Sequence, residues 1–331
     1  MIRLTALLTL GVMATINCLH ADEIAEVSID LLHPTQAFIA HDQVNYKLGR
    51  YRIDRQKLFD DLCETWGQGD DAIINDNSRS TDRSSFRCTL SDQTGFRLQD
   101  MKTAVRGPQG RLYLTDGHHT FSTFADFEET GPGLIVPVVI THDRSDLDEA
   151  AFWQWLQDND LTWLYDADGQ MIATADIPAR LGRDSLADDA YRAALYFLRE
   201  RVWNRPQPAM PFAEFYWAQH IRSHPHLQQP DLQSAQSWLR WLERITGHML
   251  ALPADTVIGP NGEGPDAMGR MSAEEVRALD SLVCDHGEPG RLALALAARG
   301  IPATCHALGQ HAEHSIVLSA PDNDVTGLSW H

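Results

Sequence analysis

Residues 111–120 read Arg111-Leu112-Tyr113-Leu114-Thr115-Asp116-Gly117-His118-His119-Thr120. Arg111 to Thr115 alternates apolar and polar side chains and reads as a strand. Asp116-Gly117 reads as a turn, and His118 to Phe127 as a helix starting directly after it. A helix N-terminus carries unpaired N–H groups and partial positive charge, so this junction suits a phosphate. Gly117 lets backbone approach a ligand closely. His118 and His119 can donate to a phosphate, take a proton or bind a metal, and Thr120 adds a hydroxyl. A plainer reading of the same residues makes Asp116 a helix cap, Gly117 a turn and the histidines solvated.

Working outward, Leu98 to Val105 reads as a strand joined to Arg111–Thr115 through Gly107-Pro108-Gln109-Gly110, a hairpin signal. Antiparallel pairing about the centre of that turn places Lys102 opposite Thr115 and beside Asp116, so Lys102 is expected to face the turn as a phosphate ligand. Leu134 to Thr141 reads as a buried strand whose Pro137 suggests an edge or a bulge. Ile24 to Ile29 reads as a first strand, and Arg55 to Trp66 has helical spacing. Gln68 to Arg83 reads as a polar loop. Beyond Ser145 helical periodicity dominates, in Asp146–Gln157, Asp188–Val202, Pro211–Arg222, Asp231–Leu250, Ser272–Val283 and Gly290–Ala298, with a late strand at Ile316–Ser319. The expectation is an α+β fold, with a mixed-sheet unit at 22–145 and a mostly helical part at 146–331 packed on it.

The chain has 331 residues, 27 Lys plus Arg against 46 Asp plus Glu, and 43% hydrophobic residues, enough to build a core. A net charge of −19 argues against coating nucleic acid by bulk charge, which needs clustered cations. Residues 1–21 open with Arg3, continue with the uncharged Leu4–Leu19 and end at Ala21, the order of a secretory signal peptide. The mature chain is then expected to be exported, to the periplasm or the extracellular space, with no stable membrane insertion. In an oxidising compartment Cys63, Cys88, Cys284 and Cys305 are expected to form two disulfides. Three connectivities exist, and local pairing favours Cys63 with Cys88 and Cys284 with Cys305.

The order of blocks resembles the ParB/sulfiredoxin-like superfamily, in its ParB-like nuclease branch. The resemblance rests on Asp116-Gly117-His118-His119-Thr120, on Gln43-Val44-Asn45-Tyr46-Lys47-Leu48-Gly49-Arg50-Tyr51, on Leu32-His33-Pro34-Thr35-Gln36, on Asp100-Met101-Lys102 and on Val136–Val139, and it spans roughly residues 24–220. It implies that the turn after the strand holds nucleotide phosphates or acts on phosphodiesters. No cysteine stands in the turn, which departs from the sulfiredoxin pattern and argues against sulfinic acid repair. No helix-turn-helix is evident, which argues against a partition clamp.

The resemblance therefore implies a nuclease or phosphodiesterase. His118 or His119 would be the general base or a metal ligand, Asp116 would orient it or hold the metal, and Lys102 with the helix N-terminus would stabilise phosphate charge. Asn45 and Lys47 would complete the pocket beside Gly117 and Thr120. Glu214, in the aromatic run Pro211–His220, needs a partner if buried, and His118, His119 and Arg222 are the candidates. The cofactor is not fixed by the sequence; a divalent metal ion is the one such chemistry would use. The expected ligand is nucleic acid or a phosphorylated small molecule. Three other readings compete: a non-catalytic, disulfide-stapled binding module, a nucleotide-binding phosphotransferase, and a transglutaminase-like thiol enzyme using Cys284 and His314.

Overall fold

The strand–turn–helix at 111–126 lies in a five-stranded mixed sheet in the computed structural model, which describes residues 23–303. In chain order the elements begin with β1 (Glu23–Ser28), β2 (Leu32–Pro34), β3 (Phe38–Ile39), α1 (His41–Ile53), α2 (Gln56–Thr65), β4 (Ala72–Ile73) and β5 (Arg87–Cys88). Next come β6 (Thr103–Arg106), β7 (Leu112–Leu114), α3 (His118–Asp126), β8 (Ile135–Asp143), α4 (Glu149–Asp158) and β9 (Ala187–Asp188). The rest are α5 (Ala190–Leu198), α6 (Ala213–Arg222), α7 (Ala235–Ala251), β10 (Cys284–Asp285), β11 (Glu288–Pro289) and α8 (Arg291–Ala298). The fold is α+β, as expected from the sequence. Residues 1–21, the strand expected at 316–319, Cys305 and His314 lie outside the described residues.

The sheet order is β1-β8-β6-β7-β2, antiparallel at β1/β8 and β6/β7 and parallel at β8/β6 and β7/β2. Period-two alternation splits its side chains between two layers. Ala104, Leu114, Val136, Val138 and Ile140 pack with α1, α2 and α3 on one face. Val105 and Tyr113 meet Phe152, Trp153 and Leu156 of α4 on the other. A second, helical core gathers α5 to α8 around Trp203, Trp217, Trp238 and Trp241. α1 joins the two cores: Val44, Leu48 and Tyr51 face the sheet, and Gly49 lies so close to α8 that a Cβ there would stand 2.4 Å from the Leu294 carbonyl oxygen.

Four sequence expectations need correction. The hairpin closes with the Gly107 N–H donating to the Arg111 oxygen (2.8 Å), and Gln109 and Gly110 take left-handed conformations. Its centre therefore falls on Gln109 and the register is Ala104↔Leu114, so Thr103 rather than Lys102 stands opposite Thr115, their hydroxyls 2.8 Å apart. The strand expected from Leu98 starts only at Thr103, because Leu98–Asp100 is a 3-10 turn. β8 is internal rather than an edge. Pro137 is accommodated because β6 pairs β8 only from Val139 onward, leaving Pro137 flanked by β1 alone. The helix expected at 272–283 is reduced to a 3-10 turn at Asp280–Leu282. Its backbone is recruited elsewhere: the Met271 and Arg277 N–H groups donate to Val202 and Arg201, and the Arg201 guanidinium donates to the Ala278 oxygen.

A disulfide joins Cys63 on α2 to Cys88 on β5. Cys284 is disulfide-bonded as well, so it is no free nucleophile and the thiol-enzyme reading of the C-terminal part falls. Among the described residues no helix is long and apolar enough to cross a membrane.

Candidate functional site

α3 starts at Gly117, whose φ of 105° belongs to the left-handed region. A Cβ at this position would stand 2.7 Å from Cγ and 2.8 Å from Cβ of Lys102, so only glycine fits. Lys102 thus lies over the turn with its stem. Its ammonium points to the Asp100 oxygen (3.3 Å) and Glu64 (3.7 Å). Asp116 is exposed and makes no capping bond; Gly117 is the cap residue. Thr120 lies in the same first turn, whose leading N–H groups have no acceptor within the helix.

The two histidines point into the fold. Nε2 of the buried His118 accepts the Thr35 N–H at 3.1 Å, while the Thr35 hydroxyl donates to the Leu114 oxygen at 2.8 Å. Nε2 of His119 accepts the Ala40 N–H at 3.0 Å. Burial pushes the His118 imidazole down to about 3. Burial, aided by the neighbouring Arg192, His118, Lys47 and Arg199, also holds the His119 imidazole well below its ordinary value. Both rings are neutral, and each spends its Nε2 lone pair on the backbone. They position the segments entering β2 and α1 against α3. A general base or metal ligand working through Nε2 is not available here, and Asp116 alone supplies one carboxylate, so the turn does not fit a divalent metal centre.

The charges around His119 form a distinct arrangement. Lys47 (2.9 Å) and Arg50 both bind the buried Asp61, which also accepts from the Tyr51 hydroxyl. Burial alone would raise the Asp61 carboxyl, yet Lys47 and Arg50 hold it at about 2. Glu214 lies in the first turn of α6 with Arg192, Arg199 and Arg205 at 3.5–3.6 Å from one oxygen. Burial likewise opposes its charge, and Arg192, Arg205 and Arg199 keep it ionised. Its partners are therefore these arginines, not His118, His119 or Arg222; Arg222 pairs with Asp189 instead. Five cations share two buried carboxylates in a protein of net charge −19. Buried Arg192 Nε, Arg199 Nη1, Arg50 Nε and Glu214 Oε1 all lack a hydrogen-bond partner. Arg199 also stands 4.0 Å from exposed Glu200. Aromatic rings floor the group, with Arg199 and Arg291 over Tyr196 and Arg192 over Phe215.

Of the residues expected at the site, Gly117, His118, His119, Thr120 and Lys102 gather at the turn. Lys47 and Glu214 belong to the cationic group beside His119. Asn45 is buried and turned away, donating to Asp42 (2.8 Å) and accepting from Arg183. The sequence reading missed Arg192, Arg199 and Arg205. Arg192 had a signal: it interrupts the otherwise apolar run Ala190–Leu198, and a buried arginine requires anions.

The chain belongs to the ParB-like nuclease family: the family model described as "Putative ParB-like nuclease" matches residues 25–223. That match crosses the boundary expected at 145/146. Among solved structures, the crystal structure of protein Atu1540 from Agrobacterium tumefaciens is similar. It is 20% identical, with a TM-score of 0.49, over 70% of this chain and 93% of that one. No match is found among curated proteins.

Proposed function

We propose that this ParB-like protein binds the phosphate of a phosphodiester or phosphorylated small molecule beside the DGHHT turn and hydrolyses it outside the cytoplasm. The observation that carries the reading is the excess of buried cations around Glu214 and Asp61, with donors left unsatisfied. A buried donor without an acceptor costs on the order of 1–3 kcal/mol, and an anion that fills Arg192 and Arg199 would recover it. The Gly117–Thr120 amides of the turn that carries His119 add positive potential. The overall negative charge repels long polyanions, so short oligonucleotides, strand ends or small esters fit better than duplex. The Cys63–Cys88 disulfide supports an oxidising compartment.

In this reading Asp116, exposed at the turn, accepts the proton of an attacking water. The new P–O bond forms as the ester P–O bond breaks, and the leaving oxygen takes a proton from solvent. Arginine charge stabilises the phosphorane-like transition state. A second reading, a non-catalytic phosphate-binding module, is favoured by the saturation of Nε2 on both histidines.

The test uses untagged protein with a short single-stranded oligonucleotide and an activated phosphodiester. Asp116→Asn should abolish turnover and keep binding. Arg192→Met with Arg199→Met should abolish binding. Wild type that binds without turnover selects the binding module. Wild type that does neither overturns both readings.

A further inference from the structure

At the far end of α6 from Glu214, four histidines converge. His220 closes the last turn of α6, and His224 and His226 follow in the run His220-Ile221-Arg222-Ser223-His224-Pro225-His226. His248 comes from the last turn of α7. One ring nitrogen from each of His220, His224 and His248 lies within 4.8 Å of the others. Nε2 of His220 and Nε2 of His248 are 3.1 Å apart. Two imidazole nitrogens on one tetrahedral zinc ion, at Zn–N bonds of ~2.0–2.1 Å, would be separated by about 3.3 Å. The rings crowd closely: centroids are 4.4 Å apart for His224 and His248 and 4.6 Å for His220 and His224.

We propose that His220, His224 and His248 form a binding site for a divalent ion of the zinc, copper and nickel group. Several features set this cluster apart from ordinary half-buried histidines. His220 stands in the last turn of α6, His224 follows two residues past its end with its N–H donating to the Ile221 oxygen, and α7 supplies the third ring from a separate element. Nδ1 of His224 lies 2.8 Å from the His220 carbonyl oxygen. A carbonyl only accepts, so Nδ1 carries the proton and Nε2 keeps its lone pair, the outer-shell arrangement that commonly orients metal-bound histidine. Three imidazoles without a carboxylate suit borderline ions and give magnesium or calcium no hard oxygen ligands. His226, exposed, stands beside His248 with centroids 5.3 Å apart, at the open side of the site. Three protein ligands leave a fourth position there for water. The ion would tie the C-terminal ends of α6 and α7 together. The site is independent of the phosphate reading.

The test is metal titration of untagged, chelator-treated full-length protein with Zn²⁺, and with Co²⁺ followed by visible absorption. One equivalent should bind, with the intense absorption of low-coordinate Co²⁺ and a rise in melting temperature with Zn²⁺. His248→Ala and His224→Ala should each lower affinity at least tenfold and remove the thermal shift. Circular dichroism verifies folding, and His286→Ala, remote and exposed, should leave binding unchanged. Wild type that binds less than a tenth of an equivalent overturns the proposal. So do folded His224→Ala and His248→Ala proteins that retain wild-type stoichiometry and affinity.

Discussion

His118 and Thr35 are joined across 83 residues of chain by one hydrogen bond, from the Thr35 N–H to Nε2 of His118. The imidazole acts as a fixed acceptor for a buried backbone donor, and it ties the end of β2 to the first turn of α3. The Thr35 carbonyl is held as firmly, by the Thr162 hydroxyl (2.7 Å) and the Trp163 N–H (3.0 Å).

This bond sets a pH dependence. The ordinary imidazole value is 6.5, and burial lowers that of folded His118 to about 3. Between those values the unfolded chain binds a proton that the folded chain does not, so stability rises with pH. Acidification from pH 7 to 5 should cost about 2 kcal/mol from this residue. His119, also lowered, acts in the same direction. His118→Leu should cost roughly 1–3 kcal/mol at pH 7 by orphaning the Thr35 N–H, and should flatten the slope. Urea unfolding at several pH values measures both. A variant slope equal to the wild-type slope would exclude His118 as the source.

Asp61 holds α1 to α2 through Lys47, Arg50 and Tyr51. Asp61→Asn removes the charge and leaves two partly buried cations of α1, Lys47 and Arg50, without it. Losing one member of such a group costs about 3–5 kcal/mol. The variant should also weaken phosphate binding, since α1 carries one wall of the cationic group. Unfolding by urea checks the first effect and phosphate titration the second.

How much of this was legible in the sequence depends on whether a residue's role is local. The β7–turn–α3 junction was readable because strand alternation, an Asp-Gly turn and helical spacing each act over a few residues. Helix α1 was not, because Asp42 and Asn45 are buried polar residues whose partners, Arg299 and Arg183, lie 257 and 138 residues away. The hydrophobic pattern of such a helix is blurred. Glu214 was readable as a carboxylate in need of a partner, but its arginines were not, since folding brings α5 to α6. The one-residue register error at Lys102 came from the left-handed pair Gln109-Gly110, which lengthens the loop.

The Cys63–Cys88 disulfide spans 25 residues and pins the irregular stretch between α2 and β5. In the chain-entropy model closing such a loop stabilises by about 3.5 kcal/mol. Cys63→Ala with Cys88→Ala should lower the melting temperature measurably by calorimetry. A thiol reductant should produce a comparable loss in the wild type and a smaller one in the variant, where only the bond at Cys284 remains to be broken. Equal melting temperatures for oxidised wild type and variant would show that the bond adds no stability.

Gly117 and Lys102 give the most specific test of the turn. Gly117→Ala forces a side chain into the left-handed region and into the Lys102 stem. Backbone strain at such a position costs on the order of 1–3 kcal/mol, and the contact adds to it because Cβ of Lys102 moves only with the backbone that leads into β6. Lys102→Ala removes the Cγ contact but not the φ strain. The double variant should therefore recover part of the loss, with a coupling of roughly 0.5–3 kcal/mol. Phosphate affinity should follow the same order, because the Gly117–Thr120 amides shift with the turn. Additive single effects in a double-mutant cycle would show that the two residues do not press on each other, and unchanged affinity in Gly117→Ala would remove the turn from the ligand site.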